Sequence, residues 1–302
     1  MGICKSTCLS ERPIEIETFQ PDEFVGSVLG IRTNTDTKLE EFYNFTGQTI
    51  PSEMGIIRKA MSNLNQSQKV SIRSVYKRNS EENLALLKNE INVLSTLDHP
   101  NIAKIYEVFE DENVFHIVME DCEDFGLLDV IRDRQKLNED EAARVIKQVL
   151  QALDYLHEKE YVHLKINLEN IKLAENQVKL VDFTRAETTK PHNKRKISQY
   201  NGMQHFTSPE SFDGKFGPKN DSWAVGVVAY YLLHRVLPFD GNRQPEISKK
   251  IIDGRYKKRR EEISAQAFDF IAKLLVVDPQ GRLSIKDALS HPWLKEAFLN
   301  IN

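Results

Sequence analysis

With 302 residues, 40% of them hydrophobic, the chain can bury a sizeable core as two domains or one bilobal unit, which excludes disorder as its overall state. Its 41 Lys and Arg against 45 Asp and Glu give a formal net charge of −4, so no global basic field points to nucleic acid. The longest apolar run, Trp223 to Leu233, falls short of the roughly 20 residues of a membrane-spanning helix, and the three cysteines form no CxxC pair, which argues against a zinc site or a disulfide scaffold and for a reducing compartment.

In chain order, residues 1–10 read MGICKSTCLS and fit the M-G-x-x-x-[ST] pattern for myristoylation of Gly2, with Ser6 at the required place. A single myristoyl chain binds membrane only marginally, so a second signal is needed. Residues 11–24 are acidic, with Arg12 as their one base, and provide no polybasic patch. S-acylation of Cys4 and Cys8 is then the expected second signal, and an ordinary unmodified terminus is the alternative. The first reading puts the protein on the cytoplasmic face of a membrane through its acyl chains, the second in the cytoplasm.

Residues 9–44 are polar and acidic without a sustained period and read as a linker with at most one short helix. From residue 45 to 120 the pattern turns to strands: Lys69 to Val75 alternates, Glu82 to Leu97 has one apolar helical face, and two strands flank Asp111 to Asn113. Residues 121–302 are mainly helical. Asn138 and Glu141 form a capping pair before a helix with Ala142, Val145, Ile146, Val149 and Leu153 on one face. Trp223 to Leu233 is apolar all round and predicts a helix buried inside a bundle, and Ser264 and Ser284 open two more. The order predicts an α+β, two-lobed fold: an antiparallel sheet with one helix, followed by a helical lobe.

Several short runs then fall into a known order. Leu97-Asp98-His99-Pro100-Asn101-Ile102, Ile117-Val118-Met119-Glu120, Tyr161-Val162-His163 to Asn170, Val181-Asp182-Phe183, Ser208-Pro209-Glu210, Asp221 to Gly226 and Asp278-Pro279 to Arg282 succeed one another. From about Phe45 to Leu294 the chain resembles a eukaryotic Ser/Thr protein kinase domain, closest to the calcium-dependent and calmodulin-regulated group but degenerate, a pseudokinase. The resemblance implies the bilobal kinase fold and a nucleotide cleft at Gly55, Ile57, Ser71, Arg73, Glu90, Met119 (the gatekeeper), Glu120 and Lys172. It implies metal ligands at Asn170 and Asp182. It also implies scaffold roles for Glu210 paired with Arg282, and for Asp221 under the catalytic loop.

The chemistry departs from that pattern. Where the family has H-R-D-x-K-x-x-N, this chain has His163-Leu164-Lys165-Ile166-Asn167-Leu168-Glu169-Asn170, so an ammonium stands where the carboxylate base belongs. The glycine-rich loop is reduced to Pro51-Ser52-Glu53-Met54-Gly55, and Pro51 has no N–H to offer a phosphate. Arg73 replaces the strand lysine and can still pair with Glu90, but its fork does not reproduce a lysine's point contact. Thr184 follows Asp182-Phe183 in place of glycine. Lys172 stands where the family has an apolar residue under the base, and either faces the cleft or turns outward.

These losses predict a kinase-fold pseudoenzyme acting as a membrane-associated scaffold or allosteric regulator in signalling, with no intact catalytic residue. The alternatives are an ATP-dependent Ser/Thr kinase with non-standard catalytic residues and a nucleotide-binding sensor. No cofactor is expected beyond weak ATP binding, with or without Mg²⁺. Protein partners of unidentified kind and a membrane are expected, and nucleic acid is not. Lys165 or Arg73 is expected to form ion pairs with the retained acidic groups Asp182 and Glu90 in place of metal and phosphate.

Overall fold

The computed structural model describes residues 30–33, 38–66, 68–78, 80–122, 126–133, 137–174, 177–190, 204–258 and 263–296. Gly2, Cys4 and Cys8 lie outside them. The N-terminal lobe is one six-stranded sheet built from β1 (Gly30–Thr33), β2 (Tyr43–Ser52), β3 (Gly55–Ser62), β4 (Lys69–Tyr76), β5 (Ile105–Glu110) and β6 (Val114–Glu120), in the spatial order β1-β5-β6-β4-β3-β2. The β-branched and aromatic residues of β4 and β6 fill the middle of the sheet, with Ile72, Val75, Ile117 and Val118 fully buried. Helix α1 (Glu81–Ser95) starts where the Ser80 hydroxyl accepts the Asn83 N–H, and buries Leu87, Ile91 and Leu94.

The stretch read as a linker is corrected here. Gly30–Thr33 pairs in parallel with β5, Gly30 opposite Glu107 and Thr33 opposite Glu110. A short 3-10 turn over Leu39–Glu41 follows, after which Leu39 and Tyr43 are buried against Phe109 and Val118. The physical reason is that an edge strand offers unpaired N–H and C=O groups, and backbone pairing to it needs no side-chain alternation that a sequence could display.

In the second lobe, α2 (Leu127–Asp133) and α3 (Glu139–Glu158) precede two small ladders, β7 (Tyr161–Val162) with β10 (Glu187–Thr188) and β8 (Ile171–Ala174) with β9 (Gln177–Leu180). Helices α4 (Pro218–His234), α5 (Gln244–Ile252), α6 (Ala265–Leu274), α7 (Ile285–Leu289) and α8 (Pro292–Glu296) complete it. Asn138 and Glu141 exchange both bonds of a capping box at the start of α3, and Ser264 and Ser284 cap α6 and α7 as their sequence positions suggest. Helix α4 is buried on every side because it packs against α3, α6 and α7 at once. No helix among the described residues is long and apolar enough to cross a membrane.

One buried ion pair joins the helices of this lobe. Arg282 donates from Nη1 and Nη2 to Glu210 at 2.7 and 2.8 Å, and from Nε to the Val276 carbonyl at 2.9 Å. Its guanidinium carbon lies 4.9 Å from the Trp223 ring centroid. Removing one partner strands a buried charge, so Arg282→Ala is expected to lower stability by about 3–5 kcal/mol, read as a shift of the denaturant midpoint.

Candidate functional site

The site is built on the loop of residues 163–170 between β7 and β8. Asp221, in the first turn of α4, accepts the N–H groups of His163 and Leu164 at 2.9 Å each, and His157 Nε2 lies 2.8 Å from the same carboxylate. Burial pushes the Asp221 carboxyl up, but the His157 hydrogen bond and charge, with the His163 N–H, hold it below the usual carboxylate range. This clamp holds Leu164 at φ +58°, a left-handed conformation that costs a bulky residue about 1–3 kcal/mol. Asn167 closes the loop by accepting the N–H groups of Glu169 and Asn170, and the Asn170 amide donates to the Lys165 carbonyl at 3.0 Å.

The loop delivers Lys165 into the cleft, 6% exposed. Its ammonium donates to Asp182 Oδ2 at 2.6 Å, Glu53 Oε2 at 2.9 Å and Thr184 Oγ1 at 3.3 Å. Burial pulls the Lys165 ammonium down, but the Asp182 carboxylate and then Glu53 outweigh this and hold it above the ordinary lysine range. Burial likewise acts to raise Asp182, and the Lys165 charge overcomes it, aided by the Thr184 hydroxyl that donates to Oδ1 at 2.5 Å. Thr184 thus uses its side chain where the family has glycine, while the positive φ of +64° falls on Asp182.

Glu53 comes from the hairpin between β2 and β3, a turn reduced to Glu53 and Met54 with Ser52 opposite Gly55. Met54 turns inward and is 7% exposed in the main core. Gly55 has φ +154°, and a Cβ there would collide with the Ser74 carbonyl of β4. The one glycine left in this segment therefore serves sheet packing, and it lies outside the cleft lining. The Glu53 carboxylate, in the segment where the family's loop faces phosphates, accepts from Lys165 instead.

Behind the cleft, Arg73 on β4 pairs with Glu90 on α1, and Glu90 Oε1 accepts the Phe183 N–H at 3.2 Å. Burial pushes the Glu90 carboxyl up against the pull of the Arg73 charge. Phe183 is fully buried with its ring 4.5 Å from that of His163, whose imidazole burial keeps below its ordinary range. At the hinge, Asp121 accepts from Ser71 at 3.1 Å and pairs with Lys59 of β3, while Glu120 pairs with Lys179 at 2.7 Å. Burial raises the Cys122 thiol to about 12, which leaves it protonated and a poor nucleophile.

Between the lobes lies a cavity of about 340 Å³. Ile57, Ser71, Arg73, Glu90, Met119, Glu120, Asn170, Lys172 and Asp182, all singled out from sequence, line it. Lys172 thus lines the cleft while staying half-buried. Sequence reading missed Lys59, Asp121 and His157 as structural partners. A histidine a few residues before His163 was the one available signal, since the other contacts join distant segments.

The profile of the family described as "Protein kinase domain" matches residues 53–294. The chain belongs to the protein kinase family. It is similar to the human "NUAK family SNF1-like kinase 2", 34% identical over 265 residues, covering 86% of this chain and 41% of the relative. It is also similar to "Calcium-dependent protein kinase 4" of Plasmodium berghei, 35% over 217 residues, with 69% and 41% covered. "Serine/threonine protein kinase OSK3" of Oryza sativa subsp. japonica is 32% identical over 274 residues, with 90% and 50% covered. The chain thus spans half or less of the length of these relatives.

Protein kinases normally use ATP and Mg²⁺. The residues present do not fit the metal: Asp182 accepts from the Lys165 ammonium on Oδ2 and from the Thr184 hydroxyl on Oδ1. A divalent ion bound to it at about 2.0–2.1 Å would meet the charge of that ammonium at close range. The pair also sets a pH dependence. Asp182, held below its ordinary 3.8, stabilises the fold above that value and stops doing so as pH falls through its folded pKa. Lys165, held above 10.5, stabilises below that value and stops doing so as pH rises through its folded pKa. The stability difference between wild type and Asp182→Asn is therefore expected to be flat from about pH 5 to 10 and to shrink on either side, measured by denaturation across pH.

Proposed function

We propose that this kinase-family chain is a pseudoenzyme that carries out no substantial phosphoryl transfer and acts as a scaffold or allosteric regulator in signalling, held at a membrane by N-terminal acyl chains. The observation that carries the reading is Lys165 at the base position, protonated and engaged by Asp182 and Glu53. An ammonium has no lone pair to accept the proton of a substrate hydroxyl, and a positioned base contributes about 10²–10⁴-fold. The tight Glu53-Met54 turn sets a carboxylate over Lys165 where the family has a glycine-rich backbone, which weakens positioning and electrostatics together with the loss of the base.

A second reading, an ATP-dependent Ser/Thr kinase with non-standard catalytic residues, draws support from the Arg73–Glu90 pair and the buried Phe183, which keep α1 docked against the cleft. Incorporation of labelled phosphate separates the two. The expected outcome is no incorporation above an Asp182→Ala control into the chain itself or into generic peptides, and no rescue by Lys165→Asp alone. Incorporation that Asp182→Ala abolishes would favour the second reading.

Membrane attachment is read by fractionation. Because residues 11–24 are acidic, attachment is expected to resist moderate salt, and to fall for Gly2→Ala and for the double variant Cys4→Ser, Cys8→Ser. Identical distribution of all three proteins would remove the lipid part of the proposal.

A further inference from the structure

We infer that the last turn of α5 and the loop after it form a contact surface for an anionic phospholipid bilayer. The inference goes beyond the acyl attachment proposed above and does not rest on it. Residues 249–258 hold five Lys and Arg against Asp253 alone, in a chain whose net charge is −4. Arg259, Arg260, Glu261 and Glu262 follow in sequence without changing that balance. The loop backbone is fixed from beneath. The Arg255 N–H closes the end of α5 on the Lys250 carbonyl at 2.9 Å, and the turn at Gly254 rests on Val277, whose Cγ2 would lie 2.6 Å from an added Cβ. Tyr256 meets the rings of Tyr230 and Phe239 edge-on at 5.8 and 5.5 Å, and the Tyr230 hydroxyl donates to the Lys257 carbonyl at 2.7 Å. With Tyr256 anchored in that aromatic cluster, Arg255, Lys257 and Lys258 on either side of it stay exposed.

The charges of this surface are only partly cancelled by its own carboxylates. Lys250 pairs with Asp240 and Glu246, and Arg255 with Asp253. Lys249, Lys257 and Lys258 are exposed, with no ion pair found for them among the described residues. Asp278 is an exposed carboxylate beside Val277, and its Oδ1 accepts the Gln280 N–H. Aliphatic side chains stand among the cations: Ile252 is 49% exposed and Val277 38%. Cations alone would suit any polyanion. Large aliphatic side chains held in water beside them suit a headgroup layer, where ammonium groups meet phosphate and carboxylate while the aliphatic tips enter the apolar boundary. Lysine stems can lie along such a surface with their heads at the phosphates. Each cation held at an anionic leaflet is worth about a fivefold gain in partitioning, so three unpaired lysines orient a tethered molecule and do not anchor it alone. That strength is compatible with an attachment that survives moderate salt through acyl chains.

The test is co-sedimentation of the full chain carrying Gly2→Ala, Cys4→Ser and Cys8→Ser, which removes any acyl contribution, with vesicles of phosphatidylcholine alone or of phosphatidylcholine and phosphatidylserine. Binding to the anionic vesicles is expected to be at least about tenfold tighter and to be lost at high salt. In this background Lys257→Glu with Lys258→Glu is expected to lower it at least about tenfold, and Lys257→Arg with Lys258→Arg to preserve it. Ile252→Asp is expected to lower it as well. Lys69→Glu with Lys286→Glu, at two exposed positions elsewhere, changes the net charge equally and is expected to leave binding in place. Equal binding to both kinds of vesicle, or none, would overturn the inference, as would an equal loss in the Lys69 and Lys286 variant or unchanged binding by Ile252→Asp. Tighter binding of a polyglutamate peptide than of anionic vesicles would also overturn it and assign the surface to an acidic protein. Any of these results would leave the acyl attachment and the pseudoenzyme reading standing, because neither Gly2 nor the cleft takes part in the contact.

Discussion

A fully buried carboxylate beneath the cleft organises what lies above it. Asp221 accepts two backbone N–H groups and faces a histidine, and hydrogen bonds to a charged group are each worth about 1.5–3 kcal/mol. That is enough to offset the strained conformation of Leu164 and to keep the 163–170 loop in one shape. Its place in the first turn of α4 adds the favourable end of the helix dipole. Every cleft residue that depends on this loop, Lys165 and Asn170 above all, inherits its position from that one buried group. The family scaffold therefore survives intact around chemistry that has changed.

The change is electrostatic. In place of a carboxylate base beside a metal-binding carboxylate, the cleft holds an ammonium between two carboxylates, which neutralises Asp182 from within the chain. The two contacts are unequal. Asp182 is mostly shielded from water and shares a low-dielectric setting with Lys165, whereas the Glu53 side chain is 77% exposed and its contribution is screened. Glu53 matters more for geometry, because it ties the hairpin of the N-terminal lobe to the loop of the C-terminal lobe. Together with the Glu90–Phe183 bond behind the cleft, it links the two lobes.

Much of this was legible as sequence because it is written in short local runs. The capping box at Asn138 and Glu141, the serine caps of α6 and α7 and the all-round apolar α4 each lie within one helix or its flanks. The same holds for the substitution of Lys165 at the base position, since a motif of eight residues carries its own register. Glu210 with Arg282 was assigned through family resemblance, and the bidentate geometry agrees with it.

What the tertiary structure alone decided are the contacts whose partners lie far apart in sequence. Lys165 and Glu53 are separated by 112 positions, and nothing local in either says that the hairpin turn closes over the loop. The inward turn of Met54, the seat of Gly55 against β4 and the Lys59–Asp121–Ser71 cluster at the hinge follow from strand register and lobe closure. Pairing of Gly30–Thr33 with β5 depends on backbone groups, which every residue carries, so composition could not announce it. Residue type by itself therefore determined the fold family and the lysine at position 165 of the 163–170 loop. Charge neutralisation of Asp182, and the shape of the cavity that remains, required the packing that brings both lobes to the same few ångströms.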